Sequence, residues 1–293
     1  MTPAAASPPI RWGAGSLRFE LTSDDPTVRA MAASVFRPWA AQDDRESSRS
    51  WRVDRLSGNG AEPEWRVRSS AGADLRVPSA ARAVSAVEYG AISAIVESPA
   101  VIVHGALVSW GGRGVLLAGR GEAGKSTLAC ALWARGAALL GDDVAMVEPA
   151  AGEAQPASRR VSLRSTSRAL LGDDFFTRVM RGPSSVTLAD SHLFHPDEIE
   201  PCPRSTPVRL AAIVFLSRRG GVAEPARHEP IAPAHALLAL LPYTNQRSRR
   251  TLGDAIRTLA PLADRVPAFD LGRGPLPRMV EAVEALVGSR ALA

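Results

Sequence analysis

Val115-Leu116-Leu117-Ala118-Gly119-Arg120-Gly121-Glu122-Ala123-Gly124-Lys125-Ser126-Thr127 is the stretch on which the reading of the whole chain turns. Its first four residues are a short apolar run of the buried-strand type. Then come a glycine, four free positions and Gly-Lys-Ser, the spacing of a phosphate-binding loop, and Ser126 to Arg135 reads as a helix. In such a loop the glycines let successive backbone N–H groups converge on phosphate oxygens, and the helix N-terminus adds partial positive charge. The nucleotide-binding set is therefore Gly119, Gly121, Glu122, Ala123, Gly124, Lys125, Ser126 and Thr127. Lys125 would reach the outer phosphates and Ser126 would hold magnesium.

Lys125 is also the single lysine in a chain with 35 basic residues. Everywhere else the chain uses arginine, so a compact ammonium at this position calls for a physical reason. A phosphate loop supplies one, because a forked guanidinium does not fit as a point charge among closely approaching backbone amides.

Seventeen residues beyond Lys125, at the end of the apolar run Ala138-Leu139-Leu140, stands the acidic pair Asp142-Asp143. Magnesium bound with a nucleotide needs a carboxylate, and transfer of a phosphoryl group to a hydroxyl needs a base. Two aspartates can divide these tasks, so Ser126, Asp142 and Asp143 form the candidate metal set, and the catalytic set is Asp142, Asp143 and His104. Neighbours on a strand point to opposite faces, so both acids serve one site only if the strand ends there and the backbone turns. Which of them is the base stays open. His104 follows Val101-Ile102-Val103 and could tune one carboxylate from an adjacent strand.

The segments Val103-His104-Gly105, Gly114 through the loop, Leu128-Ala129 and Arg135-Gly136 to Asp143 together resemble the catalytic core of HPr kinase/phosphorylase and its bacterial relatives. The resemblance covers about Ile102 to Val147. It implies a phosphate loop of the phosphoenolpyruvate carboxykinase kind, ATP with Mg2+, and transfer to a serine on a small protein. The segment tied to the reverse, phosphorylase reaction in that family has no counterpart in Val161-Ser162-Leu163-Arg164-Ser165, which lacks its acid and its glycine. A divergent serine kinase without phosphorylase activity is the expectation.

The remaining chain sets this core in an α/β protein. Residues 1–98 read as a β-rich unit, with strands at Leu17 to Leu21, Trp51 to Leu56, Trp65 to Val67 and Leu75 to Val77, a turn at Ser57 to Gly60, and a packing helix from Ala80 to Glu97. Residues 99–293 read as the phosphate-loop domain, with later strands at Val144 to Val147, Val208 to Leu216 and Ala268 to Leu271. Helices are expected at Ala234 to Leu241, Arg247 to Ala263 and Pro275 to Val287. Pro149 to Ala157 reads as a loop, and Thr166 to Thr206 as an irregular stretch with a short helix near Ala169, suited to a lid or a flap that grips the acceptor.

A hydrophobic content of 45% with 22% charged residues is ordinary for a folded globular chain. Two cysteines make no disulfide framework and point to a reducing, cytoplasmic setting. No export signal or membrane span is expected. The net charge of +5 is spread among scattered arginines, which disfavours nucleic acid. His192, His195 and Cys202 match no common metal spacing, and Arg247, Arg249 and Arg250 read as a solvated helix face that could lend a cation. The expected function is ATP-dependent phosphorylation of a Ser/Thr hydroxyl on a small protein or peptide. An ATP-binding regulatory or chaperone module and a small-molecule phosphotransferase are the alternatives, and a homo-oligomer is left open.

Overall fold

The computed structural model describes residues 7–39, 46–56, 63–156, 160–200, 207–216, 228–246 and 251–288. The turn expected at Ser57 to Gly60, Cys202, and Arg247, Arg249 and Arg250 lie outside them. The fold is mixed α/β, and among the described residues it is built on a five-stranded, a nine-stranded and a three-stranded sheet. No helix is long and apolar enough to cross a membrane among the described residues.

The first sheet runs β1 (Ile10–Ala14), β2 (Leu17–Ser23), β3 (Arg49–Leu56), β4 (Glu64–Ser69) and β5 (Asp74–Val77), in that order. Along β2, Phe19 and Leu21 are buried while Arg18 and Glu20 are not, the two-residue alternation of a strand with one wet face. Helix α1 (Pro26–Phe36) starts at Asp25, whose carboxylate accepts from the backbone N–H of Thr27 at 2.9 Å and Val28 at 3.0 Å. Helix α2 (Ala80–Glu97) starts at Ser79, whose hydroxyl accepts from Arg82 N at 3.2 Å. Its buried stripe, Val84, Val87, Ala91 and Ile95, covers the sheet. Gly90 has a packing reason, since a Cβ there would stand 2.9 Å from the indole of Trp51. Ile102, Val144 and Met146 join the same apolar core, so this unit is packed onto the rest of the chain.

The nine-stranded sheet holds β6 (Val101–Val103), β7 (Gly105–Trp110), β8 (Arg113–Ala118), β9 (Ala138–Gly141), β10 (Ala145–Glu148), β11 (Glu153–Pro156), β15 (Val208–Leu216), β16 (His228–Ile231) and β17 (Ala268–Leu271). Strand β8 pairs in parallel with β15 and antiparallel with β7, which in turn pairs antiparallel with β9. β8 and β9 therefore run the same way, one strand apart, and their C-terminal ends reach the same edge. Successive residues of β8 feed two cores: Val115 and Leu117 pack with α3 (Lys125–Ala134) and α8 (Leu276–Gly288). Leu116 and Ala118 pack with α6 (Pro233–Leu240) and α7 (Leu252–Arg265). Burial on both faces explains why the run is continuously apolar.

Beyond residue 98, two stretches differ in kind from the sequence reading. Pro149 to Ala157 is not all loop, because β11 pairs with β10 and β15. That strand is short, polar and ends in proline, so it carries no strand composition. The expected irregular stretch holds α4 (Arg168–Leu171), α5 (Asp173–Val179) and the hairpin β13 (Val186–Leu188) to β14 (Ser191–Phe194). Strand β12 (Val161–Arg164) completes that three-stranded sheet. The hairpin turns on Ala189 with φ of 55°, where Gly or Asn would have been the recognisable signal. Phe194 stacks on Trp133 in the last turn of α3, their ring centroids 6.1 Å apart, and so docks the small sheet on that helix.

A buried ion pair ties α2 to β12. The Arg160 guanidinium, fully inaccessible, donates to Glu88 Oε2 through Nε at 3.1 Å and Nη2 at 2.9 Å, and to Ser184 O at 2.9 Å. Arg160 N also donates to Glu88 Oε1 at 2.6 Å. Glu88→Ala strands this cation without its partner. It is expected to lower unfolding free energy by about 3–5 kcal/mol, measured from the shift in denaturant midpoint; a change below about 1 kcal/mol would show that water or Ser184 can replace the carboxylate.

Candidate active site

Strand β8 ends at Ala118, and the backbone of residues 119–124 turns before α3 begins at Lys125. Gly124 holds φ of 94° at the helix N-cap, a left-handed conformation that a side chain would strain. Glu122 takes φ of 63° without being glycine, an uncommon state that the surrounding turn imposes. Lys125 is only 5% exposed, and its Nζ donates to the carbonyls of Gly119 and Arg120, each at 3.0 Å. Burial lowers the pKa of this ammonium from its ordinary value of 10.5, while Asp143 and Asp142 pull it back upward.

The sign of the Lys125 shift makes a prediction. An anion bound at this loop would need the charged amine, so its affinity should begin to fall at a pH below that of an ordinary lysine. Stability behaves oppositely: between the lowered pKa and 10.5 the unfolded chain holds the extra proton, so this group's contribution rises with pH across that window. Reductive methylation with labelled formaldehyde places one side-chain amine signal in the NMR spectrum. Its titration midpoint is expected below that of the same signal in urea, and an equal midpoint would show that the amine is not desolvated.

Ser126, the next residue of α3, donates through Oγ to Asp142 Oδ1 at 2.8 Å. Asp142 is 1% exposed, and its Oδ2 accepts from the backbone N–H of Ser162 on β12 at 3.2 Å. The backbone turn that two useful aspartates require is present: β9 ends at Gly141, and Asp143 has φ of 64°. Asp143 is less buried than Asp142, lines the open cleft, and accepts at its carbonyl from Gly105 N at 3.1 Å. Gly105 also lets β7 lie close to β8, since a Cβ there would meet Leu117 O at 2.6 Å. His104 is exposed on the same cleft, its backbone N–H anchored to Tyr243 O at 2.6 Å.

The cleft has a volume of about 720 Å³ and is walled by the loop, by Asp143 and His104, by Ser162 and Arg164 of β12, and by Tyr89 of α2. The sequence reading gave α2 only a packing role, and nothing local marks Tyr89 or Arg164 as site residues. A second chamber of about 550 Å³ adjoins along Glu122, Gly124, Thr127, Thr166 and Ser167. Its far wall is Leu128, Leu170, Leu276, Met279 and Arg273. Thr127 and Ser167 share a hydroxyl contact of 2.9 Å at the junction.

Ser126 and Asp142 are hard oxygen donors, the kind that suits Mg2+. Among the described residues no group of three His, Cys, Asp or Glu could hold a metal ion alone. Magnesium is usually held by one or two carboxylates together with substrate phosphates. His192 is occupied between Ser165 Oγ at 3.2 Å and Thr187 Oγ1 at 3.0 Å, and His195 is fully buried.

No protein-family model and no curated protein matches this chain. Among solved structures it is similar to the HPr(Ser) kinase/phosphatase from Coxiella burnetii, at 14% identity and a TM-score of 0.34, over 64% of this chain and 87% of that one.

Proposed function

We propose that the chain is an ATP-dependent kinase that transfers the terminal phosphate to a Ser/Thr hydroxyl of a small protein or peptide. The carrying observation is the bond from Ser126 Oγ to Asp142 Oδ1, beside the buried Lys125 and with Asp143 on the same cleft. It joins the parts that a phosphate loop, a metal and a base each require. The loop amides and Lys125 would hold the phosphates, and Ser126 and Asp142 would hold Mg2+, which would offset charge on the phosphate oxygens. The chamber beside Thr127, with Leu170, Leu276 and Met279, suits a nucleobase and its sugar.

Asp143 is the better candidate for the base, because its side chain lines the open cleft while Asp142 is buried between Ser126 and Ser162. In the transfer, the acceptor oxygen bonds to the terminal phosphorus as the bond to the bridging oxygen breaks. The hydroxyl proton passes to the Asp143 carboxylate, and ADP leaves. His104 and Tyr89, at the cleft wall, position the acceptor segment.

The test is incubation of the protein with labelled MgATP and small proteins or peptides encoded beside it. Label is expected on serine or threonine of one of them and absent with Lys125→Ala. Tight ATP binding without transfer to any acceptor would favour a regulatory module instead, and label on a small molecule a different phosphotransferase.

A further inference from the structure

The cleft holds a second full cation besides Lys125. Arg164, at the end of β12, extends its guanidinium to Glu122 of the loop, with Nη1 to Oε1 at 2.8 Å. Strand β12 is anchored ahead of Arg164. Arg160, the residue just before the strand, is locked to Glu88, and Ser162 N donates to Asp142. A strand held in this way delivers the guanidinium to a defined place.

Glu122 is the unexpected partner. A carboxylate carried by a loop whose amides gather anions repels the phosphates that the loop attracts. Arg164 neutralises it, and a phosphate seated on the loop is a rival for the same cation. Guanidinium binds phosphate and carboxylate alike through a two-pronged fork, so both acceptors suit it. The pair is solvent-exposed, 58% and 62% for the two side chains, so it exchanges partners at low cost.

We propose that Arg164 is a phosphate-binding residue shared between Glu122 and the terminal phosphate of the nucleotide, with Glu122 acting as an internal competitor that weakens nucleotide binding. The inference rests on the nucleotide reading of the cleft. It assigns opposite signs to two residues in contact: Arg164 favours the triphosphate and Glu122 opposes it.

Calorimetric binding of MgATP and MgADP to Glu122→Gln, Arg164→Gln and the double variant tests this. Glu122→Gln is expected to bind MgATP about threefold more tightly than wild type, the scale of an exposed ion pair. Arg164→Gln is expected to bind it roughly tenfold more weakly, the scale of a charged hydrogen bond, with a smaller loss for MgADP. In the double variant the Glu122 substitution should recover part of the loss, since no carboxylate is then left unneutralised beside the phosphates. Both residues are exposed, so unliganded melting temperatures should match wild type. If Glu122→Gln weakens binding as Arg164→Gln does, the pair is a brace for the loop and the competitor role is overturned. Wild-type affinity in Arg164→Gln, with binding lost in Lys125→Ala, overturns the role of Arg164 while the nucleotide reading stands. Equal MgATP affinity in wild type and Lys125→Ala overturns both.

Discussion

Lys125→Ala is expected to lose MgATP affinity by on the order of a hundredfold or more, the scale of removing one partner from a buried, hydrogen-bonded charge pair. No other lysine exists to take its place. The Nζ position is enclosed, and its bonds run to Gly119 O and Arg120 O, so an arginine head has neither the room nor the geometry to substitute. Lys125→Arg should therefore fail as well. Calorimetry or a fluorescent nucleotide reads the effect directly, and undiminished binding in Lys125→Ala would remove the phosphate-loop assignment.

Asp143→Asn should separate binding from chemistry. An amide at this position cannot take the acceptor proton, so turnover is expected to fall about a hundredfold or more while MgATP affinity stays near wild type. Asp142→Asn should behave differently, because Asp142 Oδ1 accepts from Ser126 and its Oδ2 from Ser162 N. There the loss should appear in the magnesium dependence, with a higher metal concentration needed for half-maximal turnover. Two substitutions with indistinguishable magnesium curves and equal turnover would contradict the division of labour between the two acids.

The strand, loop and helix around Lys125 could be read from the sequence because glycine positions and an apolar run are local signals. Asp142 and Asp143 could be read as a pair, but their different environments could not. That difference comes from Ser162, twenty residues away on β12, and from the turn at Asp143. Tyr89 and Arg164 were illegible for the same reason: they enter the cleft through packing of α2 and β12, not through any pattern near the loop. Strand β1 and helix α1 were also missed. The Asp25-Pro26 start of α1 is a recognisable cap, and Val28, Ala32, Val35 and Phe36 after it fall at helical spacing, so this helix was legible in the sequence. The β13–β14 hairpin was hidden by Ala189 at its turn, and β11 by its polar, proline-ended composition.

The solitary, enclosed lysine also makes the chain a gauge of its own opening. A protease that cuts only after lysine has one peptide bond to attack, between Lys125 and Ser126, and that bond lies at the start of α3 with the side chain 5% exposed. Cleavage must wait for the loop and the first turn of α3 to open, so at low protease concentration the rate of appearance of two fragments follows the population of opened molecules. A ligand that binds only the closed form suppresses that population in proportion to one plus its concentration over its dissociation constant. Digestion across a series of nucleotides would then rank their affinities without a label, an immobilised protein or an activity assay.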